Sequence, residues 1–148
     1  MARHMYSSRV NNTERKDPIF FMLLDAGRAQ FARLEEALKA VGLSPAKYQV
    51  LDQLANAAEP VPLRLLAEES QCVASNITTL IDRLEADGLV RRVDDPADRR
   101  SKRAELTELG AAKEKEGSEA VAQLEAAFAA SLGPTERLAL ERVLDLLR

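Results

Sequence analysis

Apolar residues recur along this chain mainly at the spacing of α-helices. In residues 19–41 they return every three or four positions, which places them on one continuous stripe. The same spacing predicts further helices at residues 45–57, 63–69, 75–87, 107–132 and 135–147. Ser44 and Thr107 are suited to cap two of them, and Gly133-Pro134 divides the last two. Strand-type runs are few and short, so the chain is predicted to be mainly α.

The predicted helix at residues 75–87 has one apolar and one polar side. Ile77, Leu80, Ile81 and Leu84 lie on the side that should face a core. The opposite side is small, polar and sparsely charged, and it consists of Ser75, Thr79, Asp82, Arg83 and Ala86, with Asn76 and Thr78 on the flanks. Such a face fits the major groove of DNA, where hydroxyls and amides reach base edges. An ordinary amphipathic helix with a solvated outer face is the alternative.

A β-hairpin is predicted to follow this helix. Gly88 stands where a left-handed residue closes a helix, and Leu89 can pack back on the last turn. Strand-type runs at residues 89–93 and 102–106 then flank DDPADRRS, which has the composition of a turn. Val61, which lies between two prolines, is a candidate for a single-residue strand against the hairpin.

The hairpin is basic in a chain that is acidic overall. Between Arg91 and Arg103 it has six cations and three carboxylates, a net charge of +3, whereas the whole chain carries −3. A narrow minor groove attracts an inserted arginine, and a hairpin tip is slim enough to enter it. Asp98 is placed to hold the guanidinium of Arg100 extended. The alternative is a solvated loop whose acids and bases pair with one another.

Composition sets the broad class of the chain. With 148 residues, 46% hydrophobic and 30% charged, it fits one domain with a sizeable core. No apolar stretch is long enough for a membrane span, and the first 18 residues lack the apolar segment of a secretory signal, so a cytoplasmic location is expected. One histidine and one cysteine provide no cluster of metal ligands, and there is no phosphate-binding glycine loop. Neither an enzyme nor a cofactor is therefore expected.

The run LAEESQCVASNITTLIDRLEADGLVRRVDDPADRRSKRAELTELG resembles the core of MarR-family transcriptional regulators. The ordered motifs DRLE, GLV, DRR and LT-x-x-G carry the resemblance. It implies a winged helix-turn-helix DNA-binding domain at residues 44–106, flanked by helical dimerisation regions at 19–43 and 107–148, with a flexible arm at 1–18. The chain departs from the family pattern in one place. Val73-Ala74 precede the recognition helix where the family has Ser or Thr, so the N-cap falls to Ser75 or is missing.

The resemblance also implies roles for individual residues. For the recognition helix the residues assigned to DNA are Ser75, Asn76, Thr78, Thr79 and Arg83. For the wing they are Asp98, Arg99 and Arg100, with Arg100 in the minor groove, and Lys102 joins them as a cation of the hairpin. The apolar faces of the terminal helices exceed what one wing domain can cover, which suggests a homodimer, with an intramolecular bundle as the alternative. The residues assigned to dimerisation are Phe20, Leu23, Leu24, Leu138, Val143, Leu144 and Leu147.

The predicted function is a sequence-specific DNA-binding transcriptional regulator. It is expected to act as a homodimeric repressor on a pseudo-palindromic operator, with a small aromatic or lipophilic effector that releases it from DNA. One alternative is a dimeric ligand-binding or protein-interaction module without operator recognition. Another is a regulator that senses oxidants through Cys72, although a buried packing cysteine is the favoured interpretation of that residue.

Overall fold

The computed structural model describes residues 18–69, 74–98 and 100–147, with the side chains of Ala74 and Ser75 left out. Within these ranges the helices are α1 (Ile19–Ala40), α2 (Pro45–Asn56), α3 (Leu63–Glu69), α4 (Ala74–Ala86), α5 (Glu108–Ala130) and α6 (Pro134–Leu146). The strands are β1 (Val61–Pro62), β2 (Val90–Asp94) and β3 (Lys102–Leu106). The prediction of a mainly helical fold with a small β-hairpin wing is confirmed.

The chain divides into two compact units, one ending at Phe31 and the other beginning at Ala32. Helix α1 starts in the first unit and ends in the second. In residues 18–31 every residue except Gln30 is exposed. Phe20 and Phe21 meet edge to face, with ring centroids 5.7 Å apart. The apolar side chains of this segment are therefore exposed in the part of the chain that the structure describes.

The second unit contains a core to which most of its helices and strands contribute. The largest fully buried side chains are those of Leu38, Val50, Leu51, Leu66, Ile77, Ile81, Leu84 and Val90. Three of these belong to the apolar side that was predicted for α4. The burial of one side of α4 forces its polar side outward. The predicted orientation of this helix is thus confirmed.

The sheet has three antiparallel strands in the order β1-β3-β2. In the hairpin, Val90 pairs with Leu106 and Asp94 pairs with Lys102 at its two ends. Val61 pairs with Ala104, which confirms the predicted strand between the two prolines. Proline is tolerated there because β1 is an edge strand.

Helix α4 ends as predicted, in a Schellman motif. Gly88 has a φ of +73°, its N–H bonds the carbonyl of Glu85, and the N–H of Leu89 bonds the carbonyl of Leu84, both at 2.9 Å. Because Leu89 belongs to this stop, β2 begins one residue later than predicted, at Val90. The start of α4 differs from the prediction. The helix begins at Ala74, so Ser75 lies in its first turn and is not the N-cap. Val73, the residue before the helix, lies outside the described residues, so the alternative of a missing cap stays a prediction.

The first turn of α5 is packed directly against the loop that follows α4. Thr107 caps α5 by accepting the N–H of Gly110, and its hydroxyl donates to the carbonyl of Gly88 at 2.7 Å. A Cβ on Gly110 would lie 1.8 Å from the carbonyl oxygen of Leu89. The helical spacing of Leu109, Val121, Leu124 and Phe128 predicts that all four lie on the apolar side of α5. Because Gly110 faces this backbone, Leu109 is instead turned outward and is 56% exposed, so the prediction for Leu109 was wrong.

We expect Gly110→Ala to destabilise the protein by about 2 kcal/mol or more, because the added methyl meets backbone that cannot rotate away. The matched control is Gly27→Ala, where a Cβ meets nothing within 4 Å and the helix gains up to about 1 kcal/mol. Urea unfolding of both variants measures the difference. Equal midpoints for the two variants would contradict the close contact at Gly110.

Candidate nucleic-acid interface

The polar side of α4 is open to solvent. Asn76, Thr78, Thr79 and Arg83, all predicted to contact DNA, are exposed. The side chain of Ser75 lies outside the described residues. Because the buried side chains of α4 hold the opposite side in the core, these four residues form one accessible face, with Thr78 at its edge and the amide, hydroxyl and guanidinium of Asn76, Thr79 and Arg83 in one row. Such a row has the donors and acceptors that base edges require.

Arg92 of β2 connects the hairpin to α4. Its guanidinium bonds Asp82 at 2.5 Å and also bonds Glu85, and its backbone N–H donates to Glu85 at 3.2 Å. The Arg92 side chain is only 21% exposed. Burial lowers the pKa of Arg92, but hydrogen bonds to Asp82 and Glu85 outweigh this effect, so the guanidinium keeps its charge. The hairpin and the helix are therefore joined through one cation.

Two further cations of the hairpin pair across the strands. Arg91 contacts Glu105, which is its direct partner in the register of β2 and β3. Lys102 contacts Asp94 in the same way. Opposite charges at facing positions stabilise an antiparallel pair. Lys102, which was predicted to contact DNA, thus has a carboxylate partner within the hairpin, although its side chain remains half exposed.

Arg103 holds the base of the hairpin loop. Its Nη2 donates to Asp95 Oδ1 at 3.1 Å, its Nε lies 2.9 Å from Oδ2, and its Nη1 is 3.4 Å from the carbonyl oxygen of Pro60. Asp95 is buried and also accepts the N–H of Ala97 at 2.9 Å. The hydrogen bonds from Arg103 and then from Ala97 hold the pKa of the Asp95 carboxyl below its usual range. These contacts tie the start of the loop to two strands.

The tip of the loop is arranged differently from the prediction. Asp98 accepts the backbone N–H of Arg100 at 2.9 Å, and the N–H of Ser101 bonds the carbonyl of Asp98 at 2.9 Å. Asp98 therefore shapes the backbone of the tip, as Asp does in a turn, and it does not hold the guanidinium of Arg100. Arg100 itself is exposed. Arg99 lies outside the described residues.

The charges of this region thus divide into two groups. In the part of the chain that the structure describes, Arg91, Arg92, Lys102 and Arg103 all have carboxylate partners. Among the ion pairs of the same residues, none includes Arg83 or Arg100. The hypothesis of a loop whose acids and bases pair was correct for most of the hairpin. Arg83 and Arg100 are the two described cations left for an external partner here.

Sequence reasoning overlooked the internal roles of Arg92 and Arg103. A signal for Arg92 was present, because it lies two residues after Val90 and so on the same face of its strand. Val90 is buried, and a cation that follows it on the core-facing side needs partners. The signal for Arg103 was weaker, since its partner Asp95 lies in a loop whose course a sequence does not specify.

Comparison with known proteins identifies the type of fold. A model of the MarR family matches residues 41–101. The HTH-type transcriptional regulator MhqR of Bacillus subtilis (strain 168) is 30% identical over 98 residues, which cover 66% of this chain and 67% of MhqR. The chain belongs to the MarR family. Its members that were matched are transcription regulators and not enzymes, so this protein is a DNA-binding transcriptional regulator.

Solved structures agree with this assignment. CouR from Rhodococcus jostii RHA1, determined with bound p-coumaroyl-CoA, is 30% identical with a TM-score of 0.73, over 88% of this chain and 90% of CouR. The Staphylococcus aureus MepR–DNA complex has the same fold, with a TM-score of 0.78 at 16% identity, over 89% of this chain and 97% of MepR. This MarR-family chain therefore has a winged-helix fold, in which the β2–β3 hairpin is the wing and α4 is the helix that precedes it.

Two other sequence predictions concern absences. Among residues 18–69, 74–98 and 100–147, no helix combines the length and apolarity needed to cross a membrane. The same ranges contain no group of three or more His, Cys, Asp or Glu side chains that could hold a metal ion. Cys72 and the arm at residues 1–17 lie outside the described residues, so the redox hypothesis and the flexible arm stay predictions.

The low pKa of Asp95 makes the stability of the wing region depend on pH. A carboxyl whose pKa is lowered in the folded state stabilises that state above its ordinary value of 3.8, and this contribution is lost as the pH falls through the folded pKa. We expect Asp95→Asn to be less stable than wild type at pH 7, and the difference in unfolding free energy to shrink steadily below about pH 4. Urea unfolding between pH 3 and 7 measures it. Asp94→Asn, which removes an exposed partner, serves as the control and should change stability little at any pH.

Proposed function

We propose that this MarR-family regulator is a homodimeric repressor that binds a pseudo-palindromic operator. Each recognition helix would enter a major groove and each wing would place Arg100 in the adjacent minor groove. A two-fold dimer would read half-sites about 34–36 Å apart, which is one turn of DNA. The observation that carries the proposal is the exposed polar row of α4, held beside a hairpin in which only the tip cation, among those described, lacks a carboxylate partner.

The distribution of charge supports this mode of binding. The cations that pair internally give the wing its shape, whereas Arg83 on α4 and Arg100 on the wing tip are exposed. A guanidinium that neutralises a phosphate releases counterions, so both residues would make binding sensitive to salt. The hydroxyls of Thr78 and Thr79 and the amide of Asn76 would supply base contacts. The fold of the MepR–DNA complex, which this chain shares, is compatible with such docking.

Exposed apolar faces support the dimer. In the first unit, Phe20, Leu23 and Leu24 are at least 41% exposed. In the second unit, Leu138, Val143, Leu144 and Leu147 are at least 44% exposed. A groove of about 160 Å³ between α5 and α6 is lined by Phe128, Leu132, Leu140 and Leu144, together with Ala129 and three charged residues. Apolar surface of this extent is typical of a protein interface, and a second copy would remove it from water.

We further propose that a small aromatic or lipophilic molecule releases the operator. The support is the relation to CouR, whose structure contains p-coumaroyl-CoA. A ligand can shift the protein away from DNA only if it binds the DNA-incompetent conformation more tightly. A panel of phenolic acids and their thioesters, added to the preformed operator complex, tests this class. The proposal fails if a molecule that binds the free protein leaves operator affinity unchanged.

Loss of either exposed arginine should weaken DNA binding in a salt-dependent way. We expect Arg83→Ala and Arg100→Ala each to lower operator affinity by about 10-fold or more, and to reduce the slope of log K against log salt by about 0.9 per lost phosphate contact. A minor-groove role for Arg100 would also weaken discrimination at the base pairs beneath the wing. Fluorescence anisotropy with palindromic duplexes, including DNA that flanks its own gene, provides the measurement.

Lys115→Ala is the matched control, because it removes an exposed cation from α5 and leaves α4 and the wing unchanged. It should alter operator affinity less than two-fold. If wild type binds no duplex with salt sensitivity, the proposed operator binding is wrong. If Lys115→Ala is as damaging as Arg100→Ala, binding depends only on net charge and the assigned contacts are wrong.

The dimer can be tested at Leu144, which lines the apolar groove and is 44% exposed. Leu144→Glu leaves the carboxylate in water in a single chain but buries it in the proposed interface. We expect the dimer to dissociate at least about 30-fold more readily. Analytical ultracentrifugation measures the dissociation constant, and Leu109→Glu, at another exposed leucine, should leave it unchanged. A wild-type protein that remains a single chain at micromolar concentration would contradict the proposal.

A further inference from the structure

We infer that Arg92 is a positioning residue for DNA binding, which fixes the rotation of α4 against the wing through Asp82 and Glu85 and makes no contact with DNA itself. This inference rests on the proposed use of α4 and the wing in operator recognition. From the charge of the hairpin alone, Arg92 would be expected to contact a phosphate. The inference assigns it a different function.

The contacts of Arg92 follow one edge of α4 over two turns. Its Nη2 bonds Asp82 Oδ1 at 2.5 Å and lies 3.4 Å from the carbonyl oxygen of Thr78. Its Nη1 and its backbone N–H bond the two carboxylate oxygens of Glu85. Residues 78, 82 and 85 are spaced at i, i+4 and i+7, so they lie above one another on the helix surface. An anchor at three successive levels restrains rotation of the helix about its axis.

This restraint acts directly on the residues that would read the bases. Thr79 and Arg83 each follow an anchored residue by one position, which places them about 100° further round the helix. While the row at 78, 82 and 85 is held against the wing, the row with Thr79 and Arg83 must face outward. A small rotation of α4 would move the reading row away from the base edges, because direct readout requires hydrogen-bond geometry.

Charge and burial argue against a phosphate contact by Arg92. The cluster of Arg92, Asp82 and Glu85 contains one cation and two carboxylates, so its net charge is −1 and it repels a phosphate. The Arg92 side chain is 21% exposed, whereas Arg91 on the adjacent position is 66% exposed. The planar guanidinium also matches two carboxylates in a way that a lysine ammonium does not. The arginine at this position therefore holds the wing against α4 and does not contact a phosphate.

The decisive variants keep Arg92 and remove a partner. Asp82→Asn and Glu85→Gln each make the protein less negative beside the recognition helix, which by electrostatics alone would tighten DNA binding. Positioning by Arg92 predicts the opposite result. We expect each variant to bind operator about 5-fold to 10-fold more weakly than wild type, whereas its affinity for a scrambled duplex should equal or exceed that of wild type. The ratio of operator affinity to scrambled-duplex affinity measures sequence recognition. This ratio does not change if a fraction of the protein is unfolded.

The probe is a duplex selected by the wild-type protein from a random-sequence pool, compared with a scrambled duplex of the same composition by fluorescence anisotropy from 50 to 300 mM NaCl. Glu105→Gln is the matched control. It makes the same charge change on the wing, at a carboxylate that pairs with Arg91 and not with α4. Its operator affinity should equal or exceed that of wild type.

Arg92→Lys and Arg92→Gln complete the test. Both should lower the ratio of operator to scrambled affinity about 10-fold, and Arg92→Gln should leave the salt slope of the scrambled duplex unchanged. A salt slope reduced by about 0.9, with equal loss on both duplexes, would show that Arg92 contacts a phosphate and would overturn the inference. Tighter operator binding by Glu85→Gln would also overturn it. If wild type selects no duplex, the proposed operator binding itself fails, which is a separate result.

Discussion

The burial of one side of α4 is the constraint on which the rest of this protein depends. Ile77, Ile81 and Leu84 lie in a core shared with α2, α3 and the sheet. A fully buried aliphatic side chain contributes about 1.5–3 kcal/mol to the free energy of unfolding. Three of them on one helix hold its apolar side in the core, and they leave its polar side facing the solvent.

Burial of the apolar side determines which side of α4 faces outward, and the polar contacts of Arg92 with Asp82 and Glu85 restrain the helix further. The wing lies beside α4 because β2 begins directly after the Schellman motif of Gly88 and Leu89, and the side chain of Arg92 then reaches from the strand to the helix. A basic hairpin is often interpreted as a surface designed for DNA. In this hairpin, the cations that pair with carboxylates stabilise the strands and the loop, and Arg100 lies exposed at the tip.

Much of the fold could be predicted from sequence because its signals are local. The bounds of α3, the cap at Thr107 and the stop at Gly88 each depend on residues within a few positions. Leu109 was misplaced because its orientation depends on the contact between Gly110 and a distant backbone. The partners of Arg92 and Arg103 were also missed, since ion pairs between elements depend on register and loop path, which hydrophobic spacing does not encode.

The exposed residues of α4 were predicted more reliably than the wing, for the same reason. A helix with a clear apolar side determines which side chains face out, so Asn76, Thr79 and Arg83 could be identified by number. The position of Asp98 in the wing could also be anticipated, but not that its carboxylate would accept a backbone N–H. Helical periodicity predicts which way a side chain points. The hydrogen bonds of a turn depend on the positions of individual atoms, which periodicity does not predict.

The contact between Gly110 and Leu89 has a mechanical consequence. It joins the first turn of α5 to the loop after α4 with no side chain between them, and two hydrogen bonds from Thr107 to Gly88 and Leu89 reinforce the contact. Helix α5 has 23 residues and is about 35 Å long. Because one end of this long helix is joined to the loop after α4, a tilt of α5 is expected to move α4 with it.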